Sequence, residues 1–181
     1  MGLFRKKPKS VAPQYSPAQK WILAATALIT LNKGDYPEWL GGDEPSDKIG
    51  KGMGKMLKYG WNINNAEDFN AILAWLAKEG HRAEFGDEVL AWDHMRYFYV
   101  CGMGYLAGYI SEDQAWSQMM PLAKELQATY DSWHAMNEAY IKGRRMWGED
   151  TDGTNLMEKD YKKMLEKQNT IWNSIAWDTH L

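Results

Sequence analysis

The most apolar segment of the chain, Met95–Ile110, constrains the fold more than any other feature of the sequence. A helix that is apolar on all sides has to be covered on all sides by other elements. We therefore expect a buried central helix over about 88–110, coated by the segments that flank it in the chain. The segment contains Arg96 and falls short of the ~20 apolar residues that a transmembrane helix needs, so we expect no membrane span.

Capping residues and glycines divide the rest of the chain into further helices, and no strand pattern competes with them. Pro121 is expected to kink or divide the helix in which it lies. The sequence therefore predicts an all-α fold, a single compact domain of about six helices. The predicted helices cover about 17–32, 47–59, 66–79, 88–110, 112–147 and 154–168, with N-caps at Ser16, Ser46, Asn65, Ser111 and Thr154.

The length of 181 residues fits one domain that buries its own core. We expect a disordered basic tail over 1–15 and a single helical domain over 16–181. The C-terminal tail of that domain carries Trp172 and Trp177, and it is expected to dock onto the body because docking removes both rings from water. With no cleavage site after its first apolar run, the chain is expected to be cytoplasmic.

Composition and motifs exclude several function classes. The formal net charge of −3, with 21 basic and 24 acidic residues, argues against binding to nucleic acid. Cys101 is the single cysteine and lies in the apolar segment, as a small buried hydrophobe does. The chain has no HExxH or CxxC motif, and its GMGYLAG stretch lies inside a predicted helix rather than after a strand. We therefore expect neither a metal site nor a cofactor.

Charged and polar side chains gather around the start of the central helix. Two of them stand one helical turn apart on it, two lie in the loop that leads to it, and two stack on the helix after residue 122. Gly143 leaves room beside the last two. The predicted polar centre comprises His81, Arg82, Asp93, Arg96, Tyr140 and Arg144.

Two interpretations of this polar centre are open. In the first, Asp93 is a structural hub that pairs with Arg96 along the helix and with Arg144 across it. In the second, the arginines line a pocket for a phosphate or carboxylate, which guanidinium groups bind bidentately. A catalytic version would use His81 as general acid or base with Asp93 orienting it. We favour the structural hub, because ion-pair networks also perturb titratable groups without being active sites.

Five motifs in the same order resemble a known family. They are GHR, AWDHMR, GYLAGYISEDQAW, SWHAMNEAYIKGRRMW and IWNSIAWDTHL. On these motifs the chain resembles the YbeU/YbeR-type bacterial domain of unknown function from about Ser16 to Leu181. The resemblance implies a small, mainly helical bacterial protein without an established activity. Its WD, SW and YxxGR segments correspond here to supporting positions at Trp92, Ser132, Trp133 and Gly143.

Two functions follow as hypotheses. The first is a non-enzymatic protein-binding module, for instance an immunity or accessory partner in a toxin or secretion system. It is favoured by small size, many aromatic residues and the lack of a recognisable catalytic motif. The alternative is an enzyme or binder that acts on a small anionic ligand through the His/Arg/Asp group. A protein partner and a small anionic ligand are thus the two partner classes that the sequence leaves open.

Overall fold

The computed structural model describes residues 10–148, 151–167 and 170–181, and every regular element within these ranges is helical. The predicted all-α class is confirmed. Seven helices of 13–18 residues are accompanied by two of a single turn. They are α1 Pro17–Asn32, α2 Asp47–Trp61, α3 Ala66–Lys78, α4 Arg82–Phe85, α5 Leu90–Ala107, α6 Glu112–Thr129, α7 Trp133–Trp147, α8 Thr151–Leu165 and α9 Ile171–Ser174, with 3-10 turns at Leu40–Gly42 and Asp87–Val89.

Side-chain caps fix where the long helices begin. Ser16 and Gln19 form a reciprocal capping box, with backbone nitrogen to side-chain oxygen distances of 3.2 and 2.8 Å. Ser111 and Gln114 form a second one with the same two distances. Each box satisfies backbone N–H groups that the first helical turn leaves without a partner. The predicted starts of α1 and α6 are confirmed, as are those of α2 and α3.

The predicted number of about six helices is wrong, chiefly because residues 112–147 form two helices, and the break between them does not lie at Pro121, which was expected to kink or divide the helix. Pro121 lies inside an unbroken α6. Both Pro121 and Ser117 are exposed, so water can hydrogen-bond to the Ser117 carbonyl that the proline cannot reach. The chain breaks instead at Tyr130, whose backbone is extended, and Ser132 caps α7 by accepting the Ala135 N–H at 3.1 Å.

Two predicted helix ends also differ from the structure. α2 runs past Gly60 and ends at Trp61, and the next residue, Asn62, adopts a left-handed backbone with φ of 56°. α5 ends before Ile110, because Gly108 takes a φ of 83° that stops the helix in the manner of a left-handed C-cap. The central helix is therefore shorter than 88–110, although a 3-10 turn precedes it.

The start of α8 differs from the prediction as well. α8 begins at Thr151, so Thr154 lies within the helix and does not cap it. The Thr154 side chain is buried, and its hydroxyl oxygen accepts a hydrogen bond from Arg144 Nε at 3.0 Å. Glu149 and Asp150 of the predicted acidic loop, and the predicted helix end at 168, lie outside the described residues.

α5 forms the centre of the core, as the apolar segment predicted. Fifteen of its 18 residues are buried, and α1, α2, α3, α6 and α7 all pack around it. Gly104 permits the approach of α3, since a Cβ at this position would lie 2.2 Å from the ring of Phe69 on α3. A glycine is therefore needed where α3 crosses α5.

The C-terminal segment is held by tryptophan side chains. Trp21, Trp133 and Trp177 form a tryptophan cluster with ring centroids 4.8–5.2 Å apart. Their indole N–H groups reach distant backbone, as Trp21 donates to the Trp177 carbonyl and Trp133 donates to the Ile175 carbonyl, both at 2.8 Å. Trp172 is buried and donates to the Ala24 carbonyl at 2.8 Å. These bonds tie the last residues to α1 and α7.

Residues 1–9 of the predicted basic tail lie outside the described residues, and the division at 15/16 stays a prediction. Near that boundary, Tyr15 is 9% exposed and its ring lies edge-on to Trp116 at 5.2 Å. Among the described residues, no helix combines the length and the apolar character that crossing a membrane would require.

Candidate functional site

Asp93 is fully buried at the start of α5 and holds the turn that follows α3. Its two carboxylate oxygens accept the backbone N–H groups of His81 and Arg82, each at 3.1 Å. Gly80 allows this contact, because its φ is +53° and a Cβ there would lie 2.2 Å from the carboxylate. The carboxylate therefore fixes the turn after α3 to the first turn of α5.

Arg96 supplies the opposite charge to Asp93. Its Nη2 donates to Asp93 Oδ1 at 2.7 Å, and its Nε donates to the Trp92 carbonyl at 2.9 Å. The guanidinium also lies 4.0 Å from the centroid of the Trp92 ring, in a cation–π contact. Burial lowers the pKa of Arg96 from its usual value, and the Asp93 charge opposes that shift. The buried carboxylate thus has the charged and hydrogen-bonded partner that burial requires.

His81 takes its orientation from Arg96. Arg96 Nη2 lies 2.8 Å from His81 Nδ1, and a guanidinium can only donate, so Nδ1 is the acceptor. The neutral imidazole therefore carries its proton on Nε2. Burial, followed by the charge of Arg96, lowers the pKa of His81 and favours this neutral form. Asp93 Oδ1 is 3.5 Å from His81 Nδ1, but it binds the backbone of the histidine.

Arg82 lies on the other side of Asp93. Its Nη2 donates to the Ala77 carbonyl at 2.7 Å, and its Nη1 is 3.8 Å from Glu125 Oε1. Glu125 also accepts a hydrogen bond from the fully buried His94, with Nε2 to Oε2 at 2.7 Å. Burial lowers the pKa of His94 as well. Arg82, His94 and Glu125 do not line the cleft described below and are called the sealed side of the polar centre, although the Glu125 side chain is 49% exposed at its outer edge.

Tyr140 and Arg144 on α7 approach the centre from the opposite direction. The Tyr140 ring lies 5.1 Å from that of Trp92, and the Arg144 guanidinium lies 5.9 Å from the same ring. Burial raises the pKa of Tyr140 to about 12, against the nearby charges of Arg144 and Arg96. A Cβ at Gly143 would lie 2.4 Å from Trp92 Cβ, so this glycine lets α7 come close enough to place both side chains there.

The predicted pairing of Asp93 with Arg144 is wrong. Arg144 Nε donates to Thr154, and the cations nearest to Asp93 are Arg96 at 2.7 Å and Arg82 at 3.6 Å. The physical reason is the position of Trp92, whose ring Arg144 and Arg96 both contact, so that Arg144 meets the ring and α8 rather than the carboxylate.

A cleft of about 650 Å³ opens beside the polar centre, between α2, α5 and α7. Its walls include His81, Trp92, Arg96, Tyr140 and Arg144, which we call the cleft side. Arg82 and Asp93 do not line it. Lys33 adds a third cation to its wall, and none of the lining residues that the structure describes is an aspartate or glutamate. Within the described residues, the cleft wall therefore carries positively charged side chains and no acidic one.

Two donor atoms of the cleft side are available to a ligand as far as the described residues show. Nη1 of Arg96 and Nε2 of His81 make no hydrogen bond within the described part of the chain. Trp61, Trp75 and Trp147 line the same cleft together with Trp92. The arrangement offers hydrogen-bond donors and positive charge in an aromatic surrounding, which suits a ligand with an anionic group.

The supporting positions are distributed over different parts of the fold. Trp92 and Gly143 belong to the polar centre, as described above. Ser132 is the N-cap of α7 and Trp133 belongs to the tryptophan cluster, so neither contributes to the centre. Sequence reasoning missed the contribution of α2, which brings Trp61 to 5.6 Å from the Arg96 guanidinium. It also missed the hydrogen bond between His94 and Glu125, because the sequence shows His94 only as a titratable residue within an apolar helix.

Two further features bear on the chemistry of the chain. Burial raises the pKa of the Cys101 thiol to about 12, so the thiolate needed by a nucleophile is not formed near neutral pH. The residues that the structure describes contain no group of three or more side chains placed to hold a metal ion.

Comparison with known proteins identifies a family and no relative of known activity. Residues 86–177, just over half of the 181 residues, match the family model described as "Protein of unknown function (DUF1266)". No curated protein and no solved structure gives a significant match. The matched range includes Asp93, Arg96, Tyr140 and Arg144, whereas His81 and Arg82 precede it. The expected relation to a family of unknown function is thereby confirmed, and the chain belongs to the DUF1266 family.

Proposed function

We propose that this chain binds a small organic anion, a carboxylate or a phosphate, in the cleft beside the polar centre. The observation that carries this proposal is the composition of the cleft wall, to which Arg96 and Lys33 contribute positive charge and in which none of the described lining residues is acidic. Asp93 neutralises Arg96 from behind, at 2.7 Å from Nη2, and leaves the Nη1 side of the guanidinium for a ligand. The alternative function predicted from the sequence is the one that the geometry supports best.

Preorganisation favours binding at Arg96. Its guanidinium is held by Asp93, by the Trp92 carbonyl and by the face of the Trp92 ring. A ligand therefore meets a donor whose side chain has already lost its rotational freedom during folding. Nε2–H of His81 provides a second donor near by, because Nδ1 accepts from the same arginine at 2.8 Å. Two donors of this kind match a carboxylate or phosphate group.

The same geometry favours binding over catalysis. A general base needs a lone pair that faces the substrate, and the neutral His81 ring has only one, on Nδ1. That lone pair accepts the hydrogen bond from Arg96. His81 therefore acts as a donor in this arrangement, and the proposed function is non-enzymatic.

The test places a negative charge in the cleft without disturbing the core. Asn62 is exposed, lines the cleft and has a left-handed backbone that aspartate also tolerates, so Asn62→Asp keeps shape and conformation. Asn70→Asp is the matched control, because Asn70 is exposed on α3 and is not part of the cleft wall. The probes are hexanoate and phenyl phosphate, with hexylammonium as a cation of similar size, in isothermal titration calorimetry.

We expect both anions to bind to the wild type and hexylammonium not to bind. In Asn62→Asp a like charge in a half-buried cleft costs on the order of 1 kcal/mol, so Kd should rise about fivefold. Asn70→Asp should leave Kd unchanged. Equal effects of the two substitutions, or no binding of either anion by the folded wild type, would contradict the proposed function.

A protein partner is the second candidate, and one observation favours it. Tyr59 is 83% exposed and Met56 is 39% exposed on the same face of α2, beside the cleft. We propose on this basis that the rim formed by Met56 and Tyr59 contacts a partner, as a non-enzymatic immunity or accessory protein would. Copurification with the product of a neighbouring gene tests this role. It should be lost in Tyr59→Ala and kept in Leu156→Ala, which truncates an exposed apolar side chain elsewhere.

We further propose that the chain is of the YbeU/YbeR type, bacterial and cytoplasmic. The support is the order of its motifs, from GHR at residues 80–82 to IWNSIAWDTHL at residues 171–181. An alignment of the chain with members of that type would test this assignment, since a different motif order would contradict it.

A further inference from the structure

One face of α5 forms the floor of the cleft along most of the helix. Trp92, Arg96, Tyr99 and Met103 all line it. Their spacing of four, three and four residues places them in one row on the helix surface. At 1.5 Å per residue this row is about 16 Å long. The cleft is therefore elongated, and a single anionic group occupies only its Arg96 end.

α2 runs antiparallel to this row and forms one wall. Its last residue, Trp61, lies 5.6 Å from the Arg96 guanidinium, whereas a Cβ at Gly50, near its first turn, would lie 2.7 Å from the Leu106 carbonyl oxygen. Met56 stands between these two contacts and lines the cleft. The wall thus changes from Trp61 beside the charged group to an apolar side chain further along.

Buried apolar side chains also line the cleft. Ile29, Met103 and Met157 line it and are 4%, 1% and 1% exposed. Lys33, one turn after Ile29 on α1, is exposed and lies at the mouth of the cleft. Methionine side chains are flexible and polarisable, so they adapt to an apolar group of variable shape. Arg96, Arg144 and His81 all lie close to the Trp92 ring, whereas Met103 lies about two helical turns beyond Arg96 on α5.

We propose that the ligand is an amphipathic carboxylate, with its anionic group at Arg96 and His81 and an extended apolar body that runs along α5 past Met56 toward Met103. This inference rests on the proposed function and adds the ligand class. Its physical basis is the length of the row on α5 together with the change from charged to apolar lining. Inorganic phosphate or acetate would leave most of a 650 Å³ cleft filled with water.

The experiment measures how affinity depends on chain length. Acetate, hexanoate, decanoate and dodecanoate are titrated into the full chain below their micelle concentrations, and tryptophan fluorescence is followed together with calorimetry. Each methylene buried against the apolar lining should tighten binding about three- to fourfold. The gain should stop once the chain is longer than the cleft. Decyltrimethylammonium, with the same tail and the opposite charge, should bind at least tenfold more weakly than decanoate.

Met56→Gln tests where the apolar body lies. Glutamine has nearly the length of methionine but carries a polar amide, and Met56 is 39% exposed, so the variant should fold. Leu165→Gln is the matched control, since Leu165 is 50% exposed on α8 and does not line the cleft. We expect Met56→Gln to weaken the binding of decanoate at least threefold and to leave the binding of acetate unchanged. Leu165→Gln should change the affinity for neither ligand.

The possible outcomes separate this inference from the proposed function. If hexanoate binds, Asn62→Asp weakens it, and decanoate binds no more tightly, the proposed function stands and the amphipathic ligand is overturned. If decyltrimethylammonium binds as tightly as decanoate, the charged end has no role and both are overturned. If Met56→Gln and Leu165→Gln affect decanoate equally, the tail does not lie along α2 and the inference is overturned.

Discussion

The sealed side and the cleft side of the polar centre use the same residue types in different ways. Each has an arginine within 4 Å of Asp93 and a histidine whose pKa is lowered by burial. On the sealed side, His94 Nε2 is committed to Glu125, and its buried Nδ1 has no partner within the described residues. On the cleft side, Arg96 donates a hydrogen bond to His81 Nδ1, and His81 Nε2 has no hydrogen-bond partner among the described residues. A site is therefore recognised by which donor atoms still lack a partner beside a cleft.

The largest expected effect is at Asp93, which both sides share. Asp93→Asn keeps the shape of the side chain but removes the charge that pairs with Arg96, and it places an amide donor against backbone N–H groups. Breaking a buried pair in this way costs about 3–5 kcal/mol. Urea denaturation should show this loss in the free energy of unfolding. A loss below about 1 kcal/mol would mean that the buried charge does not stabilise the fold.

Arg82→Met should separate the two sides. Methionine keeps an apolar stem but loses the hydrogen bond to the Ala77 carbonyl and the contact with Asp93, so the free energy of unfolding should fall by about 2 kcal/mol. Because Arg82 does not line the cleft, the Kd for hexanoate should not change. Weaker anion binding by the folded variant would show that the division into two sides is wrong.

Stability should depend on pH through the two histidines. Burial lowers the pKa of His94 and of His81 below the ordinary value of ~6.5, so the folded protein binds fewer protons than the unfolded chain in the window just below that value. The contribution of the two histidines to the free energy of unfolding is therefore complete above that window and is lost as the pH falls through it. His94→Gln should flatten the fall of Tm below about pH 6.5, whereas His180→Gln, at an exposed position, should leave it unchanged.

The smallest effect is expected at the mouth of the cleft. Lys33 is exposed, so Lys33→Gln should change the free energy of unfolding by less than about 0.5 kcal/mol. The loss of one screened charge should weaken hexanoate binding about twofold. Lys51→Gln, on the exposed face of α2 and away from the cleft, is the control. An equal change in both variants would indicate a general charge effect.

Local signals predicted most of the fold. Ser16, Ser46, Asn65 and Ser111 are N-caps at the helix starts where the sequence placed them. The break before α7 was missed because a proline within a helical pattern is usually a strong sign of a helix break. The free-energy cost of Pro121 depends on whether water reaches the carbonyl that the proline leaves without a hydrogen bond. That exposure is a property of the packed structure. Ser132, which does cap a helix, was read only as part of a motif.

The polar centre could be predicted in part. The proximity of His81, Asp93 and Arg96 follows from the short turn and from helical spacing, and the structure brings all three together. The cleft could not be predicted, since it depends on how α2 and α7 pack beside α5. Neighbouring residues can also face opposite sides, as Arg82 and His81 do in the turn. Spacing along the chain does not determine this division.

The tryptophan side chains that hold the C-terminal segment have a consequence for folding kinetics. Trp172 binds the Ala24 carbonyl across 148 residues, and Trp21 binds the Trp177 carbonyl across 156. Closing a loop of that length costs more entropy than forming any local pair of helices. We therefore expect these contacts to form after the central helix has been covered. Refolding followed by indole emission should then show a late phase, and Trp172→Phe should change that phase while the earlier burial of α5 keeps its rate.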